Sequence, residues 1–181
     1  WTLRVGRELG MKHVHVGKAS SANHKDKYKS ILSRFPLRDK SEVAFDSKGW
    51  KPASVVTART NIKGVPLTLY STHIPGQPDV ENSAASFISK KMLSDPHDDN
   101  LFVLGDFNNL LFEGALKAFK EAGMKSIWHG LSINTDSIST HRHIESGNES
   151  GVIDHIFYRS TKIKVKVTNG GVIEKAYNSA E

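Results

Sequence analysis

The sequence predicts a layered α+β domain, and three observations carry that prediction. Residues 53–62 and 65–74 are β-rich runs separated only by Lys63-Gly64, the signature of a tight antiparallel hairpin. Stretches of helical period at 80–93 and 112–122 do not alternate regularly with strands, which disfavours a doubly wound parallel sheet. No Gly-x-Gly-x-x-Gly and no Gly-x-x-x-x-Gly-Lys-Ser/Thr occurs, so dinucleotide and P-loop chemistry have no sequence basis. The 181 residues, 38% apolar and 24% charged, suit one domain. No window approaches the roughly 18 apolar residues of a membrane span.

Taken in order, residues 2–10 read as the tail of a helix with Gly10 as its C-terminal cap. Residues 11–16 alternate, with Val14 and Val16 on one face and His13 and His15 on the other, and predict a strand. Residues 19–28, rich in Ser and Lys, predict an exposed loop; 30–35 predict a strand that Pro36 stops. After the hairpin, Ala84, Phe87, Ile88 and Met92 lie near helical spacing, and Ser94-Asp95-Pro96 ends that helix. Residues 101–104 are apolar throughout, as in a strand buried on both faces. Residues 112–122 predict an amphipathic helix with Leu116, Phe119 and Ala122 inward, capped by Gly123. Residues 131–151 predict a long polar loop, and 152–158 and 163–167 predict closing strands.

Polar residues at the ends of apolar strands are the natural sites of chemistry, because the strand fixes the backbone while its end admits solvent. Three places qualify. His73 ends a hairpin strand just before Pro75-Gly76; Asp106 and Asn108 follow the run 101–104, two residues apart and so on one side of extended chain; Asp154 sits in an apolar strand where it would need a partner. His13-Val14-His15 and His141-Arg142-His143 each put two imidazoles on one face of extended chain, with no third metal ligand identifiable. Residues 1–40 hold ten Lys and Arg against three acids, a net +7, whereas the remainder nets −1. Such local excess suits a polyanionic partner or a solvated face, and the segment around Lys25, Lys27 and Lys29 suits either a nucleic-acid backbone or a solvated loop.

The runs Ile31-Leu32-Ser33-Arg34-Phe35-Pro36-Leu37, Ser71-Thr72-His73-Ile74, Leu104-Gly105-Asp106-Phe107-Asn108 and Ile153-Asp154-His155-Ile156-Phe157, in that order, resemble the motifs of the endonuclease/exonuclease/phosphatase superfamily. That group includes deoxyribonuclease I, exonuclease III-like repair enzymes, sphingomyelinases and inositol-polyphosphate phosphatases. The resemblance runs from about residue 8 to the end of the chain, and Gly-Asp-Phe-Asn is its most specific part.

The resemblance implies a four-layer αββα sandwich that hydrolyses phosphoester bonds with Mg²⁺, or Mn²⁺ or Ca²⁺ in its place. Attack on a phosphoester needs a positioned water, charge neutralisation on phosphoryl oxygens and protonation of the leaving group. By resemblance, Asp106 aligns or deprotonates the water and approaches the metal; Asn108 holds a phosphoryl oxygen and shares the metal position; His73 bonds the phosphate or acts as an acid. Asp154 orients a second His, and His141 and His143 border the substrate. His at position 73 leans toward the deoxyribonuclease I, phosphatase and sphingomyelinase branches.

The resemblance also implies an Asn and a metal-binding Glu ahead of the opening helix and a Ser-Asp-His run after residues 177–181, none of which this sequence holds. A single domain over residues 1–181, incomplete at both ends and weak in turnover by itself, is therefore expected. The leading expectation is a phosphodiesterase with nucleic acid as the favoured substrate. Its alternatives are a phosphatase or sphingomyelinase-like lipid phosphodiesterase, and a catalytically silent basic binding module.

Overall fold

The computed structural model describes residues 1–20, 28–45, 53–76, 78–95, 99–142, 146–149 and 151–172. Helix α1 (Thr2–Glu8) leads into strands β1 (His13–Ser20) and β2 (Tyr28–Ser33), which pair antiparallel as a two-stranded sheet. Strands β3 (Arg38–Phe45), β4 (Ala53–Ile62), β5 (Val65–His73), β6 (Asn100–Asp106), β7 (Lys125–Ser126) and β8 (Asp154–Ser160) form a second sheet in the order β3-β4-β5-β6-β8-β7. Helix α2 (Pro78–Ser94) connects β5 to β6, the one parallel pair in that sheet, and α3 (Lys117–Glu121) and α4 (Ile127–Gly130) follow β6.

Strand alternation assigns the two faces of the large sheet. Val55, Tyr70, Leu101, Val103 and Phe157 point to one side, where Ala84, Ala85, Ile88 and Met92 of α2 and Phe119 of α3 close over them. Val56, Ala58 and Leu69 point to the other side and meet Ile31 and Leu37 from the β1–β2 layer. On the far side of that layer Gly6 of α1 approaches the Leu32 and Val14 side chains. The order is helix, sheet, sheet, helix, which is the four-layer arrangement expected.

The Lys63-Gly64 hairpin is present as predicted, with Ile62 opposite Val65 and both turn residues at positive φ, 52° and 88°. Gly10, at φ 66°, follows α1 as anticipated. Four readings of the sequence need correction. Leu101 and Val103 are buried but Leu104 is 36% exposed, so β6 is covered fully on one face only. Residues 112–122 do not make one helix: Phe112 and Gly114 take positive φ, and a 3₁₀ turn at Gly114–Leu116 precedes α3, although Leu116, Phe119 and Ala122 are buried as expected. Residues 163–167 form no strand, because β7 already occupies the open edge of β8 beside Phe157 and Tyr158. The loop read at 19–28 is strand at both described ends; its middle, with Lys25 and Lys27, lies outside the described residues, as do residues 177–181.

Candidate active site

Sheet register builds a row of polar side chains across three neighbouring strands. His73 ends β5 opposite Asp106 at the end of β6, and Asp106 faces Asp154 at the start of β8. Because β5 and β6 are parallel and β8 runs against them, two C-terminal ends and one N-terminal end meet at the same edge. Alternation turns all three side chains toward the β1–β2 layer, the face shared by Leu69, Leu104 and Ile156. His73 Nε2 lies 3.6 Å from Asp106 Oδ2.

Asn108 joins them by a turn and not by strand alternation, which corrects the expectation of an extended Asp-x-Asn. Strand β6 stops at Asp106, Phe107 is fully buried against Phe119 and Phe157, and Asn108 takes φ 48°, a left-handed conformation that Asn tolerates. Its backbone N–H donates to Asp106 Oδ1 at 2.9 Å. Its carboxamide Nδ2 donates to the Ile74 carbonyl at 2.9 Å and lies 3.1 Å from His73 Nε2. A carbonyl oxygen only accepts, so the Ile74 bond fixes which end of the amide is nitrogen and leaves Oδ1 outside these bonds. His73 accepts from Asn108 when its Nε2 is unprotonated; a proton there would face Asp106 Oδ2, 3.6 Å away, and would leave Asn108 Nδ2 without that acceptor.

Burial pushes the Asp106 carboxyl above its usual range and the Asp154 charge adds to this, against the Asn108 amide bond, His73 and His141. A carboxyl so placed is a stronger base than a free one, as proton transfer from water requires. Asp154 is exposed at the first position of β8, and thus is not the buried mid-strand acid that the sequence suggested. The Thr140 hydroxyl accepts from the Ile153 and Asp154 amides, so the 139–142 segment is tied to the start of β8 and brings His141 within electrostatic reach of Asp106. His143 lies outside the described residues.

Two groups of residues were missed by the sequence reading. The row continues past His73 to Ser54 on β4, whose hydroxyl donates to Glu42 of β3 at 2.7 Å. Burial favours the neutral form of Glu42, but the Ser54 hydroxyl, the Lys18 and Ala19 amides and the nearby Lys29 ammonium hold it below its usual range. Lys29, read from the sequence as part of an exposed basic segment, is instead 5% exposed on β2, and burial pushes its ammonium below the usual range while Glu42 opposes the shift. Neither residue belongs to a local motif, since β-pairing across long loops assembles them.

The other is His155, 2% exposed on the helix-facing side of β8, where it packs against Phe107 and Phe157. Burial lowers its basicity from 6.5, against the Asn109 carbonyl and Asp154. The unfolded imidazole therefore binds a proton that the folded one refuses, and stability falls as pH drops below about 6.5, by up to about 1.4 kcal/mol per pH unit. Urea midpoints between pH 7.5 and 5 should decline more steeply in the wild type than in His155→Phe; equal slopes would count against the assignment.

A sequence profile of the Endonuclease/Exonuclease/phosphatase family matches residues 7–173. No curated protein sequence matches the chain. Among solved structures, a humanised D. rerio TDP2 carrying 14 mutations is 15% identical with TM-score 0.65, the match covering 88% of this chain and 66% of that one. An endonuclease/exonuclease/phosphatase from Beutenbergia cavernae is 13% identical with TM-score 0.65, covering 87% and 48%. A family protein from Bacteroides thetaiotaomicron is 16% identical with TM-score 0.64, covering 87% and 64%. The chain thus spans between about half and two thirds of the length of these structures. Order of motifs, four-layer fold and profile agree, and the chain belongs to the Endonuclease/Exonuclease/phosphatase family with a deoxyribonuclease I-like fold.

Proposed function

We propose that the chain carries part of the active site of a divalent-metal-dependent phosphodiesterase acting on nucleic acid. The observation that supports this reading best is the convergence of His73, Asp106 and Asn108, tied by bonds of 2.9 and 3.1 Å, at one edge of a family fold. Asp106, its basicity raised by burial, aligns the attacking water and accepts its proton. His73, when protonated, bonds a phosphoryl oxygen, and Asn108 holds Asp106 through its backbone N–H and, while His73 Nε2 is unprotonated, holds the imidazole through Nδ2. Asp154 and His141 set the local charge.

Among the described residues no three His, Cys, Asp or Glu side chains stand together as a metal cage. Mg²⁺ is commonly held by only one or two carboxylates with water and substrate phosphate, and Asp106 with Asn108 Oδ1 fits such a partial set. A hard cation bound there would neutralise charge on the phosphoryl oxygens.

Nucleic acid as substrate is supported by exposed Arg4 and Arg7 of α1, Lys12 just before β1, Lys18 of β1, Arg34 just after β2, and Arg38 and Lys40 of β3. It is also supported by a similar fold, D. rerio TDP2, whose structure holds a single-strand DNA product. The described residues contain no helix long and apolar enough to cross a membrane.

The test is release of product from plasmid DNA, RNA, a chromogenic phosphodiester and inositol phosphates by the full-length gene product. Cleavage of nucleic acid that requires Mg²⁺, stops with EDTA and falls with salt is expected. Absence of metal-dependent release from every substrate would sink the reading. DNA binding that is salt-sensitive and survives both EDTA and Asp106→Ala, without turnover, would establish the silent binding module instead.

A further inference from the structure

We infer that His155 is a positioning residue for the proposed reaction: its Nε2–H holds the Asn109 carbonyl and so fixes the turn that presents Asp106 and Asn108. This rests on the phosphodiesterase reading for its catalytic consequence, though not for its geometry.

The turn at 107–109 is unusual in having to combine a buried aromatic residue, a left-handed Asn and a second Asn within three positions. Strand β8 and the residue just before it, Ile153, clamp the turn on both sides of Asn108. Before it, the Phe107 N–H donates to the Ile153 carbonyl at 2.9 Å; after it, His155 Nε2 lies 2.8 Å from the Asn109 carbonyl. The Asn109 side chain closes the turn from within by donating Nδ2 to the Phe107 carbonyl at 3.1 Å. With residues 107 and 109 both held, the peptide groups flanking Asn108 have little freedom, and its amide stays directed at Asp106.

A carbonyl can only accept, so His155 Nε2 carries the proton. Among the described residues its buried Nδ1 has no hydrogen-bond partner, so a proton there would be an unsatisfied donor in an apolar setting made by Phe107 and Phe157. Only the Nε2–H tautomer makes the Asn109 bond without burying a second donor. The chemistry also explains why an imidazole serves here. It offers a planar face to two aromatic rings and a donor at its far edge, which Phe lacks and a charged side chain would not tolerate at 2% exposure.

Two variants separate the donor from the packing. His155→Phe keeps the ring volume and removes the N–H; His155→Gln places an amide N–H at similar reach. With the full-length gene product and the chromogenic phosphodiester, His155→Phe should lower kcat/KM by about 10–100-fold, chiefly through kcat, and His155→Gln should restore most of it. Nitrogen-15 NMR of the wild type should show His155 protonated at Nε2 alone, and amide exchange at Phe107 and Asn108 should quicken in the Phe variant. Unchanged kcat/KM in His155→Phe, a proton on Nδ1, or unchanged exchange would overturn the inference. If no variant and no wild type turns over, the functional reading fails, and the tautomer and exchange still decide whether His155 pins the turn.

Discussion

Gly105→Ala is expected to disable the protein more thoroughly than any change to a polar residue. A Cβ at this position would stand 1.9 Å from the Thr72 carbonyl oxygen, which belongs to the backbone of the paired strand and has no rotamer to escape into. The residue also holds φ 153°, a region that L side chains rarely adopt. Strain of about 1–3 kcal/mol from the dihedral joins a similar cost from the clash, a sum near 3 kcal/mol or more. Against a typical stability of about 5–15 kcal/mol, that separates β5 from β6 and takes His73 away from Asp106. Urea denaturation would read the loss directly. A variant within about 0.5 kcal/mol of wild type would show that the strands approach each other less closely than described.

Asp106→Asn should have the opposite profile, abolishing chemistry while sparing or strengthening the fold. Asn retains an oxygen for the Asn108 amide, so the turn keeps its bond. Turnover on the chromogenic phosphodiester should fall about 10²–10⁴-fold, the usual worth of a general base. The stability argument follows from the direction of the shift. The unfolded carboxyl ionises near 3.8 and the folded one at higher pH, so the folded state binds more protons between them and stability is lost as pH rises through the folded value. Removing the carboxylate recovers that loss at neutral pH, and the gain should vanish below about pH 3.8. Thermal melts at pH 7 and pH 3 check both halves; a lower melting temperature at pH 7 would contradict the proposed desolvation.

Sequence reasoning singled out His73, Asp106 and Asn108, which the structure brings together, because each lies in a short motif at the end of an apolar run, and strand ends are readable locally. It misjudged Asp154, since the apolar residues that follow it suggest a strand interior when the strand in fact begins there. It read 163–167 as a strand because alternation registers a tendency, whereas membership in a sheet needs an open edge, and β7 had taken it. Glu42 and Ser54 were invisible, and Lys29 was read as exposed, for a related reason: the three become neighbours only through pairing of β3 with β4 and packing of β2 across the layers. The carbonyl that His155 holds is likewise distant in sequence, 46 positions earlier.

The row of His73, Asp106 and Asp154 also sets a constraint on the order in which the candidate site assembles. The hairpin of β4 and β5 closes through a two-residue turn, but His73 meets Asp106 only after α2 has crossed the sheet, and Asp154 arrives last, after residues 107–153 have been placed. Closing such loops costs entropy before any contact rewards it, so non-local strand pairing is the slow part of folding. A refolding chain should regain hairpin signals early and its polar row late. Such an order would leave the proposed site unassembled in half-folded molecules.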